Sequence, residues 1–82
     1  MDRERKIGEV LENGFAVIKN NGRAILAQKK YNNQVYEGQF VTWLYDVKTG
    51  STVLGHYFPY GGITKVNEQE AYEYANKDFS LR

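Results

Sequence analysis

The sequence predicts a mainly β protein, a small five-stranded barrel carrying a short C-terminal helix. Three observations predict it. Five short runs of β-forming residues occupy positions 6–11, 15–19, 23–28, 39–46 and 52–58. Between them lie glycine-bearing turns at Asn13-Gly14, Asn21-Gly22, Glu37-Gly38 and Thr49-Gly50. Asn-Gly reaches left-handed backbone at low steric cost and is a strong hairpin signal. After Asn67 the apolar spacing changes to that of a helix. The 82 residues make one domain. The expected layout is a flexible N-terminus over 1–5, a barrel over 6–66 and a helix over 67–79 packed on the barrel.

The first strand, 6–11, contains Gly8, which weakens a flat strand and marks a bulge or bend. Residues 15–19 and 23–28 form a tight hairpin through Asn20-Asn21-Gly22, and neither alternates cleanly, so both faces are expected to be covered or used. Residues 29–38, rich in Asn, Lys and Tyr, read as a long polar connection with aromatic tips. Strand four, 39–46, puts Phe40, Thr42 and Leu44 on one face and Val41, Trp43 and Tyr45 on the other. Lys48-Thr49-Gly50 is a turn with glycine at the left-handed position. Strand five, 52–58, ends at Pro59, which has no N–H to donate. Tyr60-Gly61-Gly62 is a joint, and 63–66 is a candidate sixth strand. Asn67-Glu68-Gln69-Glu70 has the spacing of a capping box, and Ala71, Tyr72, Ala75 and Phe79 form the apolar stripe of a helix whose pattern fades near Asn76 or Lys77. That stripe is expected to pack over Trp43.

Composition narrows the function classes. Eleven Lys and Arg against ten Asp and Glu leave a net charge of +1, far from the strongly basic balance of a nucleic-acid domain. Any such ligand must then use a local patch. With no cysteine, disulfides and thiolate metal sites are excluded. No apolar run approaches a membrane span and the charged start lacks a signal-peptide core, so a cytoplasmic protein without membrane contact is expected. His56 is the single histidine, the carboxylates are scattered, and Ser51, His56 and Asp46 form a constellation only by free choice. No phosphate-loop or nucleophile-elbow pattern occurs. Neither an enzyme nor a cofactor or metal site is expected.

Asn13-Gly14-Phe15-Ala16-Val17-Ile18 resembles the first RNA-binding motif of cold-shock domains, Lys-Gly-Phe-Gly-Phe-Ile. The run from Gly22 through Gln28 falls where that family carries its second motif, and Glu37-Gly38-Gln39-Phe40-Val41 is similar to the segment opening its fourth strand and to the corresponding step of S1 domains. The resemblance covers about residues 7–58. It implies an OB-like barrel, with an SH3-like barrel as the alternative curled sheet, and an OB strand 2–3 face commonly binds single strands. The chain departs from the pattern: Val17 stands where the second stacking aromatic is expected, Leu26 and Gln28 replace a Phe and a His, and the Lys-Trp-Phe run of strand one is missing.

These residues leave two main ligand classes. The first is weak single-stranded RNA or DNA binding through Phe15, Lys19, Arg23, Lys29, Lys30 and Tyr31, with cations for phosphates and rings for bases. The second is a protein-interaction or inhibitor module, a phage or mobile-element accessory protein that binds a host protein through Trp43, Tyr45, Tyr57 and Tyr60. Homodimerisation through an unpaired edge strand is a third reading.

Overall fold

Asparagine and glycine turns fold the chain back on itself into one antiparallel sheet of four strands, in chain order: β1 (Phe15–Asn20), β2 (Ala24–Tyr31), β3 (Gln34–Tyr45) and β4 (Thr52–Phe58). A helix, α1 (Glu68–Leu81), comes after them. This computed structural model describes residues 5–11, 14–31, 34–61, 63 and 65–82, with backbone alone for 30, 31 and 34–38.

The sheet is open, with β1 and β4 as its two edges. The expected closed five-stranded barrel is therefore not formed. The reason lies partly at the N-terminus. Gly8 has φ 92, and the Glu9 N–H closes a turn onto Lys6 O at 3.0 Å. An Arg5–Glu9 ion pair at 2.8 Å supports that turn. Beyond the turn the chain makes an isolated bridge, Val10 to Ala16, rather than a fifth strand. Residues 8–11 nonetheless run along β1: the Gly8 and Leu11 N–H groups donate to Val17 O and Phe15 O, both at 2.7 Å, and the Val17 N–H donates to Glu9 O at 2.9 Å.

Two further expectations change. The long connection at 29–38 is instead a continuation of β2 and β3, which pair again at Lys30–Val35 and Tyr31–Gln34 after an irregularity. Asn32 and Asn33 lie outside the described residues. The candidate strand at 63–66 is absent among the described residues: Ile63 lies in a 3₁₀ turn, and Gly61 N–H donates to Val66 O at 2.7 Å.

Other local signals act as the sequence suggests. Asn21 Oδ1 accepts the N–H groups of Arg23 and Ala24, and Asn20 Oδ1 accepts that of Gly22, whose φ is 88. Gly50 has φ 76 and donates to Asp46 O at 2.7 Å. Asn67 Oδ1 accepts the Glu70 N–H at 2.8 Å, and the Asn67 side-chain amide donates back to Glu70 Oε1. The helix runs past residue 77 to Leu81, and the Arg82 N–H caps the carbonyls of Asp78 and Phe79.

The core has two halves, one on each face of the sheet. On one face lie Phe15, Val17, Ile25, Ala27, Val41, Trp43 and Tyr45, joined by Leu11 from the N-terminal segment. On the other lie Ala24, Leu26 and Phe40, covered by Ala71, Ala75 and Phe79 of α1 and by Tyr60. Helix and Trp43 thus occupy opposite faces, which corrects the expectation that α1 covers Trp43. Phe40 and Thr42 point toward the helix, so strand alternation sends Val41 and Trp43 away from it. Ala71 and Ala75 let the helix axis approach closely. Full burial of residues such as Ile25, Leu26 and Val41 contributes about 1.5–3 kcal/mol each.

Candidate functional site

A bulge decides where the basic residues of β1 end up. Val17 pairs with Ala27, but Lys19 pairs with Leu26, so Ile18 is an extra residue that reverses the alternation. Lys19 therefore joins the helix face although its numbering parity matches Phe15. Its ammonium donates to Asn76 Oδ1 at 2.5 Å and lies 5.7 Å from the centre of the Tyr72 ring.

Lys29, opposite Phe15 in the register, stays on the other face with its Nζ 4.9 Å from the Phe15 centroid. Phe15 itself is 3% exposed and packs edge-on against Trp43 at 5.2 Å. Arg23 is exposed in the β1–β2 turn. Lys30 and Tyr31 lie in β2, and their side chains fall outside the described residues. The six residues expected to make one nucleic-acid surface are thus divided. Phe15 and Lys29 share one face, Lys19 is held on the other, and the Phe15 ring is enclosed in the core.

The four aromatics of the protein-binding alternative divide as well. Trp43, Tyr45 and Tyr60 are buried. The Tyr45 hydroxyl accepts the Arg5 N–H at 2.7 Å, and the Tyr60 hydroxyl lies 3.4 Å from the Gln28 amide. Arg5 is further tied through its Nε to Gly50 O at 3.1 Å, so the N-terminal segment is anchored at that residue. Tyr57, by contrast, is 56% exposed, its ring 6.2 Å from Phe15.

Tyr57 lies on β4, and its neighbours Val53 and Leu54 are 55% and 67% exposed. The run from Thr52 to Phe58 contains no Lys, Arg, Asp or Glu. β4 is kinked where Thr42 pairs with His56 but Leu44 pairs with Val53, which inserts one extra residue. Leu54 has φ 54, a left-handed conformation that strains a branched side chain. Gly55 comes next, and a Cβ there would come within 2.7 Å of Trp43 Nε1. This glycine is required by the close approach of the indole. Where the β3–β4 hairpin turns, Leu44, Tyr45, Asp46, Thr49, Ser51 and Val53 surround an open hollow of about 490 Å³.

A polar cluster ties this strand to the helix. Thr42 donates its hydroxyl to Asp78 Oδ2, and His56 Nδ1 lies 3.0 and 3.2 Å from the two Asp78 oxygens. Arg82 Nε donates to Asp78 Oδ2 at 3.2 Å, while its Nη2 donates to Leu54 O at 2.6 Å. Burial pushes the Asp78 carboxyl up, but the hydrogen bonds from Thr42, His56 and Arg82, together with the charge on His56, outweigh it and hold the group below the ordinary aspartate value. A carboxylate-oriented imidazole is an arrangement found in general bases. Here the adjoining hydroxyl, on Thr42, is fully buried and already donates to Asp78. The cluster fastens the last turn of α1 to β3 and β4. Asp46 belongs to the hairpin turn, where its Oδ1 accepts the Lys48 N–H at 2.9 Å, and it is His56 and Asp78 that pair.

Among the described residues no three His, Asp or Glu side chains are grouped to hold a metal, and no helix is long and apolar enough to cross a membrane. Sequence reasoning reached Tyr57, weighed Asp46 only beside Ser51 and His56, and passed over Val53, Leu54 and Asp78. The available signal was the uncharged run of β4, since edge strands are commonly guarded by charge. Comparison of the chain with protein-family models, curated proteins and solved structures finds no match.

Proposed function

We propose that the chain is a small non-enzymatic module that binds another protein through the outer edge of β4. The observation that carries this reading is the exposure of Val53, Leu54 and Tyr57 on an edge strand that contains no Lys, Arg, Asp or Glu. An extended partner segment added to that edge gains main-chain hydrogen bonds and covers the three side chains. Trp43 and Tyr45 act beneath the surface, stiffening the sheet that presents Tyr57. A single-stranded nucleic acid would instead rely on Arg23 and Lys29 for its phosphates. It would do so without the Phe15 ring, and base stacking is the main sequence-tolerant grip on single strands.

The test is capture from cell extract, with and without nuclease treatment, on the immobilised chain, compared with Tyr57→Lys and Leu54→Lys. Each variant is first checked for an unchanged circular dichroism spectrum. The expected result is a captured protein whose binding falls more than about tenfold in either variant, the scale of a hot-spot loss. Captured nucleic acid that is released steeply by moderate salt, or protein capture indifferent to both variants, overturns the reading.

A further inference from the structure

The hollow at the β3–β4 hairpin lies against the proposed docking edge, because Val53 is at once a residue of β4 and a wall of the hollow. We infer that it is a subsite for a lysine side chain carried by the partner's extended segment; this rests on the edge-strand reading above.

Three features of the hollow point to that chemistry. Its inner wall is apolar: Leu44 and Val53 are cross-strand partners, and the buried Tyr45 lies beside them. Its volume of about 490 Å³ leaves room for a long side chain. At its rim stands Asp46, which is exposed and makes no ion pair among the described residues. Asp46 is also held still. Its N–H donates to Ser51 O at 3.0 Å and its carbonyl accepts from Gly50 at 2.7 Å. An apolar wall ending in a fixed carboxylate complements an aliphatic stem ending in a cation.

The turn then selects between the two such side chains. Asp46 Oδ1 already accepts the Lys48 N–H. A guanidinium binds best by engaging both oxygens of a carboxylate in one plane, so an arginine would have to share Oδ1. An ammonium is a point charge that is satisfied at the remaining oxygen. Lysine is therefore preferred.

The experiment is a titration of the isotopically labelled chain, monitored by amide NMR shifts, with three capped amino acids: N-acetyl-lysine methylamide and its norleucine and arginine counterparts. Shifts are expected at Thr49, Ser51 and Val53, saturable with lysine and weaker with the other two. Asp46→Asn retains the acceptor for the Lys48 N–H and so preserves the turn. It is expected to weaken lysine binding about fivefold, the scale of an exposed ion pair. Equal binding of norleucine, tighter binding of arginine, indifference to Asp46→Asn, or no saturable shifts at these residues overturns the subsite. These probes make no strand pairing with β4, so their failure leaves the edge-strand reading to be judged by the Tyr57 and Leu54 variants alone.

Discussion

Along β1 the outer edge is hydrogen-bonded to residues 8–11, which bury Leu11 against Phe15 and Trp43's face of the sheet. Along β4 no further strand is paired among the described residues, and Val53, Leu54 and Tyr57 stand in solvent. Both edges are bent, β1 by the bulge at Ile18 and β4 by the bulge at Leu54. Only the first is then covered by a preceding piece of chain. An uncovered edge normally carries charge that discourages pairing. β4 has instead a kink, the Arg82 contact to Leu54 O and the adjacent Pro59. These limit how far a foreign strand can pair without forbidding it.

The contrast can be broken most severely at the covered edge. Leu11→Ala is expected to lower unfolding free energy by about 2–4 kcal/mol, as for other buried leucines. Val53→Ala at the bare edge is expected to stay within about 0.5 kcal/mol of the parent, as surface changes do. Urea denaturation of the two variants measures both, and equal losses would mean that β4 is as enclosed as β1.

Gly55→Ala tests how closely the bare strand fits its own sheet. The new methyl meets the Trp43 indole at 2.7 Å, and overpacking of this kind costs about 1–3 kcal/mol. A thermal melt of this variant indistinguishable from that of the parent would show that the indole has room to move.

A smaller effect concerns the Asp78 cluster that fastens α1 to β4. The folded pKa of Asp78 lies below its unfolded value of 3.8, so its stabilising contribution is complete above 3.8 and is lost as pH falls through the folded pKa. Melting temperature is therefore expected to fall on acidification over that range, and Asp78→Asn should reduce the dependence. An unchanged acid profile in Asp78→Asn would assign the effect to other carboxylates.

Some residues disclose their role without tertiary context. Asn21 turns the chain by accepting N–H groups two and three residues ahead, and Asn67 caps α1 in the same local way. The limits of β4 at Thr52 and Phe58 were equally legible, set between the glycine turn and Pro59. Residues 29–38 misled because Asn, Lys and Gly mark loops by composition, whereas the pairing of Lys30 with Val35 carries both strands onward. Of the candidate site, Tyr57 was readable as an aromatic on a strand. Its exposure was not, because what covers each aromatic is set by distant segments: the sequence expects the helix over Trp43, and Phe15 and Leu11 bury it instead.

The turns at Asn21-Gly22 and Thr49-Gly50 and the helix cap at Asn67 come from the sequence by itself, since each depends on atoms only a few residues away. Tertiary structure alone decided that the sheet stays open, that α1 covers the Leu26 and Phe40 face rather than Trp43, and that Lys19 crosses to the helix side. These depend on bulges, and on the competition among distant segments to cover each face and edge. A single extra residue such as Ile18 reverses every side chain beyond it, and no local pattern announces where that residue will fall.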